Sequence, residues 1–451
     1  MSEKYLVIGA GISGVSACEL LLNNNENVTL YDGNANLDKE KIIKDNPFME
    51  RVSIIVGDVD FSFVKDFDKV VLSPGVPLDI DIVKRIKEEN ILILGEIELA
   101  YLFGKGRIIA ITGTNGKTTT TALTGEIFKS YYDDVRVVGN IGIPYTKMVE
   151  GSTDDTIFVA EISSFQLETI HKFKPESSAI LNITEDHLNR HHTMENYINA
   201  KKSITKNQDK FNTCVLNFED DVLREFGEKL SCNVVYFSGR RVLKSGLYYS
   251  DGVIYISDNG SSTKVIDVDE LAILGVHNYE NAMCAIALGL SMDIPMDRIV
   301  DALKKFKAVE HRIEYVCERK GVKFYNDSKG TNPDAAIKGI CAMNRPTFLI
   351  GGGYDKDSTY DEWVSCFPKR VKKLALIGQT SEKIARCCDE HGFKDYVLCD
   401  TLESAMDLCF NEAISGDAIL LSPACASWGM FTNYEERGKV FKAHAREYKN
   451  A

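Results

Sequence analysis

The sequence predicts an α/β protein of three domains, each a mostly parallel sheet wrapped by helices. Short β-rich runs alternate with helical patterns from one end of the chain to the other, as repeated βα units do. The length of 451 residues leaves room for three cores at about 150 residues each. Hydrophobic content of 44% and charged content of 26% exclude a disordered, collagen-like or coiled-coil chain.

The first domain is expected over residues 1–96, with strands at Tyr5–Ile8, Val28–Tyr31, Val70–Leu72 and Ile91–Leu94. Gly9-Ala-Gly11-Ile-Ser-Gly14 follows the first strand and opens a helix, the context a Rossmann-like G-x-G-x-x-G turn requires. Its glycines allow a tight turn, and the helix N–H groups then face a diphosphate. Asp32 ends the next strand, where such folds place a ribose carboxylate. Alone, this turn fits an NAD enzyme, but it reports a diphosphate rather than a nicotinamide.

The second domain, 97–308, restarts the series with Arg107–Ile111, Ile157–Ile162 and Ala179–Ile183. Gly246–Tyr249 and Val253–Ser257 flank Ser-Asp-Gly and predict a small antiparallel hairpin, followed by a helix through Asn281–Leu290. Thr112-Gly113-Thr114-Asn115-Gly116-Lys117-Thr118-Thr119 sits between strand and helix and ends as a P-loop does, although Ile111 stands where the leading glycine would be. The chemistry is intact: loop N–H groups cradle phosphates, Lys117 neutralises the β/γ-phosphates, and Thr118 offers a hydroxyl to Mg²⁺. Glu161 ends its strand as a metal carboxylate should, and also precedes the helix-capping pair Ser163…Gln166. Asn182-Ile-Thr-Glu-Asp-His187 repeats the pattern at the next strand end, where His187 is a candidate ligand. The neighbouring His191 and His192 read as surface residues.

The third domain, 309–451, is again Rossmann-like, with strands at Val322–Asn326, Thr347–Ile350, Leu374–Ile377 and Ala418–Leu421. Asn332 as N-cap and Pro333 as first helical residue offer an anion-ready helix start.

Composition narrows the partners. The formal charge of −13 argues against nucleic acid or an anionic membrane surface as partner, while leaving small anions open. No run of about 18 apolar residues predicts membrane insertion. Tyr5–Leu22 is interrupted by the glycine turn and reads as strand–turn–helix, not a signal peptide. The 12 cysteines form no C-x-x-C pair and read as free thiols of a cytoplasmic protein.

Assembled, these residues resemble the Mur ligase family across all three domains. The resemblance rests on Gly9–Gly14, Thr112–Thr119, Gly139-Asn140-Ile141-Gly142, Glu161–Gln166, Asn182–His187 and Ala200-Lys201. It continues through Gly275-Val-His-Asn278…Asn281, His311-Arg312, Asn326-Asp-Ser-Lys-Gly-Thr-Asn332 and Ser422-Pro-Ala-Cys-Ala-Ser427. Asn115 stands where alanine-adding members usually carry His, and no Asp-Asn-Pro-Arg motif of the diaminopimelate- or lysine-adding members occurs; the N-terminal nucleotide fold with Asn326-Asp-Ser-Lys-Gly-Thr-Asn332 and Ser422-Pro-Ala-Cys-Ala-Ser427 favours the D-glutamate-adding branch. Gly33 and Asn34 depart from the Thr-Arg type pair that can follow Asp32.

The resemblance implies ATP-dependent ligation of D-glutamate to UDP-MurNAc-L-Ala by a cytoplasmic monomer, through an acyl phosphate. Lys117, Glu161, His187 and Lys201 would be catalytic. Gly113 to Thr119, Asn278, Asn281, Arg312 and Asp327 would bind ATP. The UDP-sugar would meet Gly11, Ile12, Ser13, Asp32, Ser73, Gly75, Asn140 and His187. Lys329, Thr331, Lys356, Ser427, Trp428 and Tyr434 would meet D-glutamate. Two Mg²⁺ ions would use Thr118 with Glu161, and His187 with a carbamylated Lys201 in the register Tyr197-Ile-Asn-Ala-Lys201. Sites spread over three domains imply closure on ligand binding. The alternatives are an NAD-dependent oxidoreductase, which leaves the phosphate loop unexplained, a non-catalytic UDP-sugar sensor, or a ligase of other amino-acid specificity, including a folylpolyglutamate type.

Overall fold

A computed structural model describes residues 2–140, 142–307 and 309–449; Ile141 of the Gly139–Gly142 segment and the expected boundary at Ala308 lie outside the described residues. Three sheets fall into two compact units. One comprises Met1–Ser250, Ile254–Val265 and Glu280–Leu303; the other comprises Asp251–Val253, Ile266–Tyr279 and Lys304–Ala451.

The first sheet has five parallel strands in the spatial order Ser53–Val56, Asn27–Asp32, Lys4–Ile8, Lys69–Leu72, Leu92–Gly95. Alternate residues of the central strand serve opposite faces: Tyr5 and Val7 join one core, Leu6 and Ile8 the other. Chain order reverses between Lys4–Ile8 and Lys69–Leu72, so their carboxyl ends frame the switch-point crevice where open α/β sheets bind ligands. Ser53–Val56, an edge strand without a buried residue, escaped the sequence reading.

The helix Glu96–Phe103 leads to the second sheet and carries two buried carboxylates. Glu96 accepts from the Thr146 N–H (2.7 Å) and hydroxyl (2.8 Å). Glu98 accepts the backbone N–H groups of His171, Lys172 and Phe173. Ile108, Ala110, Phe158 and Ala160 of the second sheet continue the core that Tyr5 and Val7 enter. The first two sheets therefore share one interior.

The second sheet has nine strands, with Arg107–Thr112 between Ser177–Ile180 and Ile157–Glu161, all parallel. Their carboxyl ends bring Thr112, Glu161 and the Leu181–Asn182 segment to one edge. Gly246–Ser250 and Val253–Asp258 are neighbours at the far side, as the Ser-Asp-Gly turn predicts, and Ser261–Asp267 extends them. The helix expected from Asn281 begins earlier, at Val276.

In the second unit a six-stranded sheet runs Glu314–Arg319, Val322–Asn326, Ala418–Leu421, Thr347–Gly351, Val371–Leu376, Tyr396–Leu398. Glu314–Arg319 pairs antiparallel with Val322–Asn326; its neighbours are parallel. Phe348 and Ile350 pack on one face and Leu349 on the other. Asn332 caps the helix Pro333–Ala342 as the sequence predicts, its side chain accepting from the Ala335 N–H. The 12 cysteines are free thiols. Among the described residues no helix is long and apolar enough to cross a membrane.

Candidate functional site

The glycine turn is shaped for close approach. Gly9 has φ +99°, and a side chain at Gly14 would collide with the Gly9 carbonyl, so helix and strand meet only through glycine. Ser73 Oγ donates to that carbonyl at 3.0 Å. The switch-point crevice opens into a cavity of about 520 Å³. It is lined by Gly11, Ile12, Ser13, Asp32, Ser73, Gly75 and Asn140, seven of the eight positions expected for the UDP-sugar. His187, the eighth, is not among the lining residues. Asp32 also braces the turn itself: its Oδ2 accepts the Ala10 N–H at 2.8 Å and its Oδ1 the Asn34 N–H at 2.9 Å.

The phosphate loop is held from both sides. Thr114 N–H donates to the Asn182 carbonyl (2.9 Å) and Asn115 N–H to Asn182 Oδ1 (2.8 Å). Thr114 Oγ1 lies 3.0 Å from the Tyr197 hydroxyl. Gly116, at φ +86°, is the N-cap of the helix Lys117–Lys129. Asn281, expected on the adenine side, is buried behind this loop, where the Thr120 hydroxyl donates to its Oδ1 at 3.1 Å. Lys117 Nζ donates to the carbonyls of Gly113 (2.8 Å) and Thr114 (2.9 Å), curling over its own loop.

Glu161 is the link between cavity and loop. Asn140, which lines the cavity, donates through Nδ2 to Glu161 Oε1 at 3.1 Å and through its N–H to the Glu161 carbonyl at 2.8 Å. Among the described residues Glu161 Oε2 is buried without a hydrogen-bond partner. A carboxylate oxygen left so costs on the order of 1–3 kcal/mol or more unless a cation or donor meets it. A divalent cation bound by this oxygen and the buried Thr118 hydroxyl would supply the missing partner.

Lys201 is 1% exposed and donates to the Gly113 carbonyl at 2.8 Å. Burial, reinforced by the nearby Lys117 charge, pulls its pKa down from 10.5 to about 6. Its amine is therefore largely neutral at physiological pH and nucleophilic. His187 takes the left-handed backbone (φ +54°), stays half-exposed, and sets its ring 5.0 Å from that of Phe165.

His191 is a correction. It is 4% exposed, not a surface residue, stacked on Phe165, with Nε2 2.9 Å from the Ser164 hydroxyl. Burial lowers its pKa to about 4, so it stays neutral. Arg190 was missed entirely. It donates to the Pro74 (3.1 Å) and Val76 (3.0 Å) carbonyls and to Glu168, pinning the cavity wall to the second sheet. Its position three residues after His187 was the available clue.

In the second unit, Asp327 is buried at a strand end, accepting from the Ser422 hydroxyl at 2.7 Å. Burial outweighs that bond and the nearby Arg312 charge, lifting its pKa to about 7. Among the described residues Arg312 Nε is buried without a partner, a donor suited to an anion. Asn278 donates to the Leu274 carbonyl at 2.8 Å. Lys329 Nζ lies 5.4 Å from the Tyr434 ring centre and Lys356 Nζ 4.9 Å from that of Trp428. Ser427 is buried beside half-exposed Trp428, and Thr331 follows Lys329 on the same loop. Arg437, absent from the sequence reading, is 1% exposed and bonds the carbonyls of Ser328 (2.9 Å) and Cys425 (3.2 Å). It thereby joins the loop bearing Lys329 to the loop bearing Ser427.

Comparison with known proteins accords with this geometry. Residues 3–95 match the Mur ligase MurD-like N-terminal domain, 111–289 the Mur ligase middle domain, and 311–425 the Mur ligase glutamate ligase domain. The UDP-N-acetylmuramoylalanine–D-glutamate ligase of Lachnoclostridium phytofermentans is 53% identical over 100% of this chain and 99% of its own. That of Lachnospira eligens is 52% identical over 98% of each. Among solved structures, UDP-N-acetylmuramate-alanine ligase MurC from Thermotoga maritima aligns over 100% of both chains with TM-score 0.61 at 18% identity. MurF from the same organism, in complex with ADP, covers 99% of this chain and 95% of its own with TM-score 0.60 at 16% identity. Those two likenesses concern the fold.

Proposed function

The chain belongs to the Mur ligase family, and from that premise we propose that it joins D-glutamate to UDP-N-acetylmuramoyl-L-alanine with ATP, as its relatives' names state of them. The observation that carries the reading is Asn140: it lines the switch-point cavity and bonds Glu161 at the phosphate-loop edge. A nucleotide sugar in that cavity would have its free carboxyl directed toward the γ-phosphate.

The substrate carboxylate attacks the γ-phosphorus and ADP leaves. The amine of D-glutamate then attacks the acyl carbon, and phosphate departs as the amine sheds its proton. Catalysis is positioning and charge stabilisation. Lys117 shifts from its loop carbonyls to the β/γ-phosphates, and Arg312 Nε meets phosphate charge. Asp327 would meet the ribose and Asn278 the adenine end, while Asn281 supports the phosphate loop from behind through Thr120. Glu161 and Thr118 would hold one Mg²⁺, which when bound neutralises phosphate charge; His187 and a carbamylated Lys201 would hold a second. Neutral Lys201 is ready to take up CO₂, releasing a proton and leaving a carbamate. Lys329, Thr331, Lys356 and Ser427 receive the amino-acid carboxylates between Trp428 and Tyr434. The protein acts as a cytoplasmic monomer, with residues 1–96, 97–308 and 309–451 serving UDP-sugar, ATP and amino acid in turn.

The test is phosphate release from ATP with Mg²⁺ and UDP-MurNAc-L-Ala, comparing D-Glu, L-Glu, L-Ala and L-Lys. D-Glu alone should support turnover. Preference for another amino acid contradicts the specificity, and NAD binding without ATP turnover contradicts the class.

A further inference from the structure

Three metal-competent side chains that the ligation reaction does not use converge in the second unit. Cys387 lies on the helix Ser381–Glu390, His391 is the residue that ends it, and Asp361 opens the helix Asp361–Ser365. Their ligand atoms lie within 4.8 Å of one another, and His391 Nε2 is 3.0 Å from Asp361 Oδ1. The i,i+4 spacing puts Cys387 and His391 on one helix face, a turn apart, as paired zinc ligands on helices are. Cys387 is buried while Asp361 and His391 reach solvent. The cluster is therefore reachable from solvent on the side of Asp361 and His391.

We propose that Asp361, Cys387 and His391 form a binding site for a Zn²⁺-like transition-metal ion, separate from the Mg²⁺ ligands at the phosphate loop. The donor set decides the class. One sulfur, one imidazole and one carboxylate suit a borderline-soft cation with tetrahedral geometry completed by water, whereas Mg²⁺ and Ca²⁺ take oxygen. Zinc holds such ligands at about 2.0–2.3 Å, so the wider separations contract by roughly 1 Å while the His391–Asp361 pair opens by a few tenths of an ångström. That is within the reach of side-chain rotation at two solvent-facing residues. Burial and then the Asp361 charge push the Cys387 thiol up to about 11. An arriving cation replaces that proton, which leaves to solvent, and the thiolate and carboxylate balance its charge.

The site bears on the amino-acid loop. Lys383, on the same helix as Cys387, pairs with Asp355 at 3.0 Å. Asp355 and Asp361 bracket the segment that carries Lys356. A metal ion at Asp361 ties the second end of that segment to the helix that already holds the first.

Cobalt(II) distinguishes the site from the Mg²⁺ ligands, which contain no sulfur, and cysteine variants distinguish it from the other free thiols. Chelator-stripped enzyme titrated with Co²⁺ should show a thiolate-to-cobalt near-ultraviolet band that saturates at one equivalent and is displaced by Zn²⁺. Cys387→Ser should abolish the band, Cys366→Ser should leave it, and His391→Gln and Asp361→Asn should each weaken affinity about tenfold or more. Each variant should retain its Mg²⁺-dependent ligation when transition metal is absent, which establishes that it folds. No thiolate band in the unaltered enzyme, or a band that survives Cys387→Ser, overturns the proposal. Should Cys387→Ser fail to fold, unchanged cobalt affinity in both solvent-facing variants overturns it equally.

Discussion

Replacing Lys201 by Ala tests the least ordinary feature of the site. The amine is enclosed, 2.8 Å from the Gly113 carbonyl, and burial lowers its pKa from 10.5 to about 6. At pH 7 an unperturbed lysine is uncharged in about one molecule in 3000, whereas a pKa near 6 leaves about nine in ten uncharged. The amine available to CO₂ therefore rises roughly 3000-fold. If the resulting carbamate holds a cation against the transferring phosphoryl group, Lys201→Ala should lower kcat by about 100-fold or more. The truncation leaves space for a small acid, so acetate or formate at tens of millimolar, on the order of typical weak-ligand levels, should restore part of the rate. The assay is ADP release at saturating ATP, UDP-MurNAc-L-Ala and D-Glu, with native mass spectrometry for the CO₂ adduct. Full activity of Lys201→Ala without added carboxylate would refute the reasoning.

Two further predictions address the second unit. Arg437→Met strips donors from the buried Ser328 and Cys425 carbonyls; at about 1–3 kcal/mol per unpaired carbonyl it should destabilise that unit by about 2–6 kcal/mol in urea unfolding, and a shift under about 0.5 kcal/mol would contradict this. Asp327 has its pKa raised from 3.8 to about 7, so between about pH 4 and 7 the unfolded chain gives up a proton that the folded chain keeps. Its stabilising contribution is complete below about pH 4 and lost as pH rises through about 7. Asp327→Asn should flatten that slope in urea midpoints, and parallel profiles would refute the assignment.

What the sequence made legible was what is local. Thr112 to Thr119 is contiguous, so strand, loop, lysine and helix could be read in order. The turn Gly9–Gly14 likewise declared its shape, and the Asn332–Pro333 cap its helix. Features made by tertiary meeting were not legible. Asp32 could be placed at a strand end, but not that its carboxylate would brace the Ala10 N–H. His191 looked like an exposed polar residue because its partners, Ser164 and Phe165, lie on a segment more than 20 residues earlier. Arg437 sits in a charge-rich helix, where its burial follows only from loops brought together by the sheet. The strand Glu314–Arg319 was concealed by its charges, which an edge position tolerates.

In the proposed reaction ATP activates the nucleotide-sugar carboxyl as an acyl phosphate, which the D-glutamate amine then opens. Supplying UDP-MurNAc-L-Ala labelled with ¹⁸O in its free carboxyl tests this most directly. Complete turnover with D-Glu should deliver one labelled oxygen to each phosphate released, since the carboxyl oxygen bonded to phosphorus leaves with it. Unlabelled phosphate accompanying glutamyl product would contradict the account.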